Sequence, residues 1–415
     1  MINAIVGVSG LANAMPFKRM QWPKLDDREY RISQGHDAAA AIVVDGKIVA
    51  AAAEERFNRQ KQSGEFPVQA LGFCLREAGL KMTDVSEIAH CFDYRPWQDL
   101  YLLDPVSSQL YRDVFSRETL IEQVRRYCPG FEECRIHQVG HHLSHAASAY
   151  LTSGWDDCLV GVLDAMGETQ SVSIYTGVQG ELKKVREISA NDSIGILYSL
   201  VTLHLGFDFN SDEYKIMGLA PYGDPARYEG LFQQAVDCRP DGTLRIPILR
   251  LNRTRDEREN YLKTRQWLSE NLLPPRHPDD PITERHRDAA AALQTCLERV
   301  VLHICGHFGN STGLKRLALA GGVALNCAAN GVLVKNGPFD EVYVQPAAGD
   351  DGAALGAALY RASVAGNVEN ERMPVPFLGP AYRIRRSTRR LRISMEKSAS
   401  SGLAILTSCA KRPQI

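Results

Sequence analysis

Residues 38–57 read AAAAIVVDGKIVAAAAEERF. Two apolar runs flank Asp45-Gly46, the kind of dipeptide that closes a two-residue β-hairpin. Just upstream, AIVGVSG (4–10) reads as a buried strand ending in a Gly/Ser turn. The second half of the chain repeats the scheme. CLVGVLD (158–164) is a buried strand, a glycine turn follows, and SVSIYTG and LKKVREI pair around Val178-Gln179-Gly180. Strand, turn and hairpin twice over predict an internal duplication, two related α/β lobes with a cleft between them. Such a cleft is a common ligand-binding geometry, with hinge closure as its natural motion.

The lobes are expected at 1–157 and 158–382, meeting near 153–157. Residues 11–34 are polar and Pro-containing and read as an inserted irregular loop. Phe66–Gly79 and GHHLSHAASAYLT (140–152) have helical patterns, and 189–315 is largely helical. LALAGGVALN and EVYVQPAAGDDGAALGAALY each predict a strand, a Gly-rich loop and a helix. From Arg383 onward there are nine Lys/Arg and one acid, Glu396, so 383–415 is expected to be a disordered basic tail or the product of a frame shift.

Composition narrows the function. Of 415 residues, 44% are hydrophobic and 23% charged, the profile of a globular protein. Lys plus Arg (48) nearly balances Asp plus Glu (49), so no global basic field points to nucleic acid. The uncharged apolar stretch 317–334 contains Gly321-Gly322, Asn326 and Asn330 and reads as strand, turn and helix start, not a membrane span. The first residues, MINAIVGVSG, show no secretory pattern. Ten scattered cysteines without a CxxC pair fit a reducing cytoplasm and argue against a disulfide framework or a cysteine zinc site.

Three groups of residues carry chemistry. On a helix, His141 and His145 share one face at i, i+4, the spacing at which two imidazoles bind one metal ion; the bland alternative is a pair of polar histidines. His303 and His307 have the same spacing in an apolar helix with no acidic loop to answer them, and are read as core-edge histidines. Asp350 and Asp351 stand at a helix start, where one can cap the helix while the other points into the cleft as the third metal ligand; a plain helix cap is the alternative. Two histidines and a carboxylate leave open positions suited to Fe, Mn or Zn. The glycine loops Val8-Ser9-Gly10, Asp164–Thr169 and Gly321-Gly322 end apolar strands and are candidate phosphate cradles. Neither a Walker A nor a GxGxxG motif is present. In SDEYKIMGLAPYGDP (211–225), Lys215 is a candidate phosphate contact or part of a lid; the alternative is a surface loop. His36, at the first hairpin's entry, is a candidate general base or a locally bonded turn histidine.

GHDAAAAIVVDGKIVAAAAEERFNR, HHLSHAASAY, EYKIMGLAPYGDP, LAGGVALNCAANG and GDDGAALGAAL together resemble the NodU/CmcH-type O-carbamoyltransferases, from residue 1 to about Tyr382. The resemblance implies a duplicated actin-like (Kae1-like, RNase H-like) α/β fold. It implies that carbamoyl phosphate and ATP give carbamoyl adenylate, and that an acceptor hydroxyl attacks the carbamoyl carbon as AMP leaves. It places a divalent metal at His141, His145 and Asp350. The phosphate and nucleotide contacts would fall to Ser9, Asp164, Gly167, Glu168, Lys215, Gly321, Gly322 and Asn326, with His36 and His142 as candidate bases.

The expected acceptor is a sugar hydroxyl, chosen as a lipo-chitooligosaccharide nodulation factor over an antibiotic. The chain departs from the family at DAMGE, where Ala165 stands at a turn glycine. It departs again after LGPAY, where the family continues into a YrdC-like activating domain; that domain is expected to be missing or on a separate chain. The competing readings are a Kae1-like tRNA threonylcarbamoyl transferase, disfavoured by the absence of a basic stripe, and a catalytically silent nucleotide-binding scaffold.

Overall fold

The computed structural model describes residues 2–381 except 367, 369 and 374; the basic tail lies outside the described residues. Five strands form the first sheet: β1 (Ala4–Val8), β2 (Ala39–Val44), β3 (Lys47–Ala53), β4 (Glu87–His90) and β5 (Ile136–Gln138), in the order β3-β2-β1-β4-β5. β2 runs antiparallel to both β1 and β3, while β4 pairs parallel with β1 and β5 parallel with β4. The second sheet contains β6 (Asp157–Leu163), β7 (Gln170–Val178) and β8 (Glu181–Ser189). A two-stranded ribbon, β9 (Asp237–Cys238) and β10 (Leu244–Arg245), stands apart from it. With β11 (Arg316–Ala320) and β12 (Glu341–Val344) the second sheet's order is β12-β11-β6-β7-β8. β6 pairs antiparallel with β7 and parallel with β11, so read from the other edge this is the first sheet's order and directions again. The fold is the duplicated two-lobe α/β class expected from the sequence.

Local chemistry sets both hairpins. Asp45-Gly46 has φ of 48° and 78°, and Gln179-Gly180 has 51° and 85°. Two consecutive left-handed residues are what a two-residue turn needs to match strand twist. The segment 11–34 is not the irregular loop expected. It folds into helices Ala14–Gln21 and Asp27–Tyr30. Asp26 accepts from the Arg28 and Glu29 amides, and the Glu29 side chain accepts from the Asp26 amide. This capping box overrides the segment's poor periodicity, and Phe17 and Tyr30 are buried by it.

Two helices lock the lobes together across the sequence boundary. The helix His141–Tyr150 precedes β6 yet packs on β6 and β11, while Asp350–Val364 returns from the second half to pack on β1 and β2. They also pack on each other. A Cβ on Gly356 would sit 1.8 Å from the Ser144 carbonyl oxygen, and one on Gly7 would sit 1.8 Å from that of Ala354. The small residues of GDDGAALGAAL therefore set the approach that brings the starts of both helices together. Among the described residues no helix is long and apolar enough to cross a membrane.

Candidate active site

The close approach of these helices brings His141, His145 and Asp350 into one cluster. His141 Nε2 lies 3.1 Å from His145 Nε2. Asp350 Oδ1 lies 3.3 Å from His141 Nε2 and 3.4 Å from His145 Nε2. A fourth group joins from the end of β6: Asp164 Oδ2 is 3.4 Å from His141 Nε2. One ligand atom from each residue lies within 4.8 Å of the others, and both histidines are fully buried. The sequence reading had assigned Asp164 to phosphate.

The donor set fits a divalent cation. Donor atoms that share one ion at about 2.0–2.2 Å stand about 3 Å apart, as His141 does from His145, Asp350 and Asp164. The His141 ring is stacked on Phe92, with centroids 4.2 Å apart. Its Nδ1 lies 3.3 Å from the Cys91 carbonyl oxygen, which can only accept, so the neutral ring keeps its proton there and turns Nε2 to the cluster. Burial works against a charged His141, but the carboxylates of Asp350 and Asp164 outweigh it and raise its pKa well above the ordinary value. Burial likewise opposes an ionised Asp350, and His141 and His145 reverse that, holding its pKa far below the usual carboxylate range. The same negative field that holds a proton on His141 favours a divalent cation.

Two members of the cluster, Asp164 and Asp350, line a cavity of about 620 Å³, with the two histidines buried behind them. Asp164, Asp350, His36, Gly322 and Asn326 line it. Asp164 Oδ1 also accepts from the Gly322 amide at 3.0 Å. Gly321, at φ 92°, leaves no room for a side chain: a Cβ there would sit 2.2 Å from the Leu163 carbonyl oxygen. Asn326 caps the helix Cys327–Asn336 and pairs with the Gln294 amide. Ala165 lines the cavity and has no left-handed backbone, so the departure at DAMGE needs no strained turn. His36 Nε2 lies 3.2 Å from both the Arg31 carbonyl oxygen and Ser33 Oγ. Burial lowers its pKa, despite the nearby Asp350 carboxylate, and keeps the ring neutral.

Other expected site residues are placed elsewhere. Glu168 does not line the cavity and accepts from the His141 amide at 2.7 Å and the Asp93 amide at 2.9 Å. It anchors the start of the histidine helix, where a buried carboxylate meets unsatisfied amides and the positive end of the dipole. Gly167 sits beneath His142, 2.7 Å from that ring if given a Cβ. His142 is buried on another face of its helix, its Nδ1 2.8 Å from Ser173 Oγ, and does not line the cavity. Lys215 turns outward to Asp212 at 2.8 Å, and Ser9 Oγ donates to the Asp37 carbonyl at 3.0 Å. Each local bond satisfies a polar group that the sequence alone leaves unassigned. His303 and His307 belong to no cluster of three or more metal-ligating side chains among the described residues.

Asp37 is a cavity residue that the motifs leave unassigned. It stands at φ 56°, and burial beside Asp351, Asp350 and Glu55 pushes its carboxyl up to about 8. Its only signal was its place next to His36.

Residues 31–96 and 104–359 match the family described as Carbamoyltransferase N-terminus. The chain is 37% identical to nodulation protein NolNO of Sinorhizobium fredii, over 83% of this chain and 49% of that protein. It is 39% identical to nodulation protein NolO of Bradyrhizobium diazoefficiens, over 58% of this chain and 42% of that protein. Among solved structures it is similar to component A of (R)-2-hydroxyglutaryl-CoA dehydratase from Acidaminococcus fermentans, at 16% identity and a TM-score of 0.42, over 88% of this chain and 99% of that one. The chain spans about half the length of the curated relatives it matches.

Proposed function

The chain belongs to the Carbamoyltransferase N-terminus family, and from that premise we propose that it transfers a carbamoyl group from carbamoyl adenylate to a sugar hydroxyl. The observation that carries the reading is the convergence of His141, His145, Asp164 and Asp350, whose two carboxylates line one cavity. These four residues would hold the divalent cation, Fe, Mn or Zn. When bound, the ion supplies Lewis-acid polarisation of a carbamoyl or phosphate oxygen.

The chain's own residues do the rest. The Arg31 carbonyl can only accept, so the proton of neutral His36 sits on Nε2 and the lone pair on Nδ1. That nitrogen takes the acceptor's hydroxyl proton, an activation a sugar hydroxyl needs near neutral pH. The oxygen then bonds to the carbamoyl carbon, the bond from that carbon to the adenylate phosphate oxygen breaks, and AMP leaves with the electron pair. AMP is placed on the glycine-lined side, where Gly322 and Asn326 meet Gly195 in the first turn of the helix Ile194–His204.

Carbamoyl adenylate is proposed to come from carbamoyl phosphate and ATP on a YrdC-like activating domain or chain. The proposed acceptor is a lipo-chitooligosaccharide and the proposed compartment the cytoplasm; the nine cysteines among the described residues are all unpaired. The test supplies synthetic carbamoyl adenylate and candidate saccharides and follows the products by mass spectrometry. A metal-dependent gain of one carbamoyl group on the saccharide is expected. Hydrolysis alone, across all acceptors and all three metals, would overturn the proposal.

A further inference from the structure

The cavity has a second end that the chemistry above does not use. Phe17, Trp22, Tyr101 and Tyr261 wall it, together with the pair Lys18 and Glu259. Phe17, Lys18 and Trp22 come from the helical insertion, which crosses to the second half of the chain: Trp22 Nε1 donates to Asp256 at 2.8 Å and Arg265 pairs with Glu29. These three residues and Tyr101 lie outside the ranges that match the family, whereas the cation ligands and His36 lie inside them.

Polar groups at this end are left without partners. Neither the Tyr101 nor the Tyr261 hydroxyl has a hydrogen bond among the described residues, and neither is sealed from the cavity. The Lys18 ammonium donates to the Ile32 and Glu259 carbonyls, leaving one N–H over. The Glu259 carboxylate stands 3.8 Å from Lys18 Nζ and 4.0 Å from Arg255 Nε, within ion-pair range but beyond hydrogen-bond range. Two phenols and a carboxylate, with the buried Lys18 beside them, thus line a space walled by aromatic rings. A saccharide presents the matching chemistry, with apolar C–H faces that lie on aromatic rings and hydroxyls that both donate and accept. Lys18 and Glu259 offset each other, while Arg258 lines the same wall. With Asp256 held on Trp22 against Arg258, this end carries no net negative charge to offset the desolvation of a polycationic acceptor.

We propose that Trp22, Tyr101 and Tyr261, with the Lys18–Glu259 pair, form the acceptor subsite and select a neutral saccharide ring over a cationic one. The assignment rests on the transferase reading of the cavity and names its acceptor class.

Calorimetric titration of the full chain, without donor, tests it with two probes: tetra-N-acetylchitotetraose and the same tetramer fully deacetylated, which is a tetracation. The neutral probe is expected to bind at least about tenfold more tightly. Trp22→Ala is expected to weaken it by about tenfold, and Tyr101→Phe and Tyr261→Phe, which remove one oxygen each and keep the ring, by several-fold each. No binding of the neutral probe, equal affinity for both probes, or wild-type affinity in both Tyr→Phe variants would overturn the proposal. Metal uptake, read in the same samples, separates the two readings. Uptake without saccharide binding sinks the subsite alone, and saccharide binding without uptake sinks the transferase reading.

Discussion

Asp350 begins one helix and His141 begins another, and their side chains meet at 3.3 Å. The meeting is a consequence of packing: a glycine at 356 lets the second helix lie directly on the Ser144 backbone of the first.

Replacing that glycine tests the coupling of fold to site. Gly356→Ala places a methyl 1.8 Å from a backbone oxygen, so the helices must part. The expected cost is about 1–3 kcal/mol in denaturant unfolding, as for other overpacked cores. Metal affinity should fall with it, because Asp350 moves with its helix. Wild-type metal affinity in a destabilised variant would separate the two.

His145→Ala and Asp350→Ala each remove a direct ligand of the proposed ion. Metal affinity measured by competition titration is expected to fall by more than the roughly 10–100-fold that outer partners are worth. Asp164→Asn keeps a carbonyl oxygen and should cost less.

Glu168→Ala distinguishes an anchor from a phosphate contact. The variant leaves the His141 and Asp93 amides without their acceptor, for an expected loss of about 1–3 kcal/mol in stability. Nucleotide affinity, measured well below the unfolding transition, should stay at the wild-type level. Lys215→Ala, at an exposed ion pair with Asp212, should change stability by no more than about 1 kcal/mol and nucleotide affinity not at all.

Asp37 gives the metal-free protein a pH signature. Its carboxyl titrates near 8 when folded, against a usual value of 3.8. The folded state therefore binds the extra proton between those values, and stability falls as pH rises through that window. Asp37→Asn removes the titration while keeping a residue that tolerates φ 56°. In chelator-treated protein the variant should be more stable than wild type at pH 8, and the difference should shrink toward pH 4. Parallel stability curves would contradict the assignment.

Much of this was legible in the sequence, for identifiable reasons. Asp45-Gly46 and Gln179-Gly180 act locally, so the hairpins and the duplication could be read directly. The i, i+4 spacing put His141 and His145 on one helix face, and the family resemblance supplied Asp350 and the acidic answer. What failed was non-local. Glu168 finds two amides, one of them at Asp93, and no spacing announces that. His142 falls one residue from a ligand and faces Ser173 instead. The insertion 11–34 had a readable capping box, Asp26 with Glu29, that its polarity masked.

The most direct test of the central claim is X-ray absorption on protein loaded with one equivalent of Fe, Mn or Zn. The expected spectrum has two imidazole nitrogens and carboxylate oxygens near 2.0–2.2 Å, with the imidazole scattering lost in the His141→Ala, His145→Ala double variant. An ion bound without imidazole ligands, or a spectrum unchanged in that variant, would contradict it.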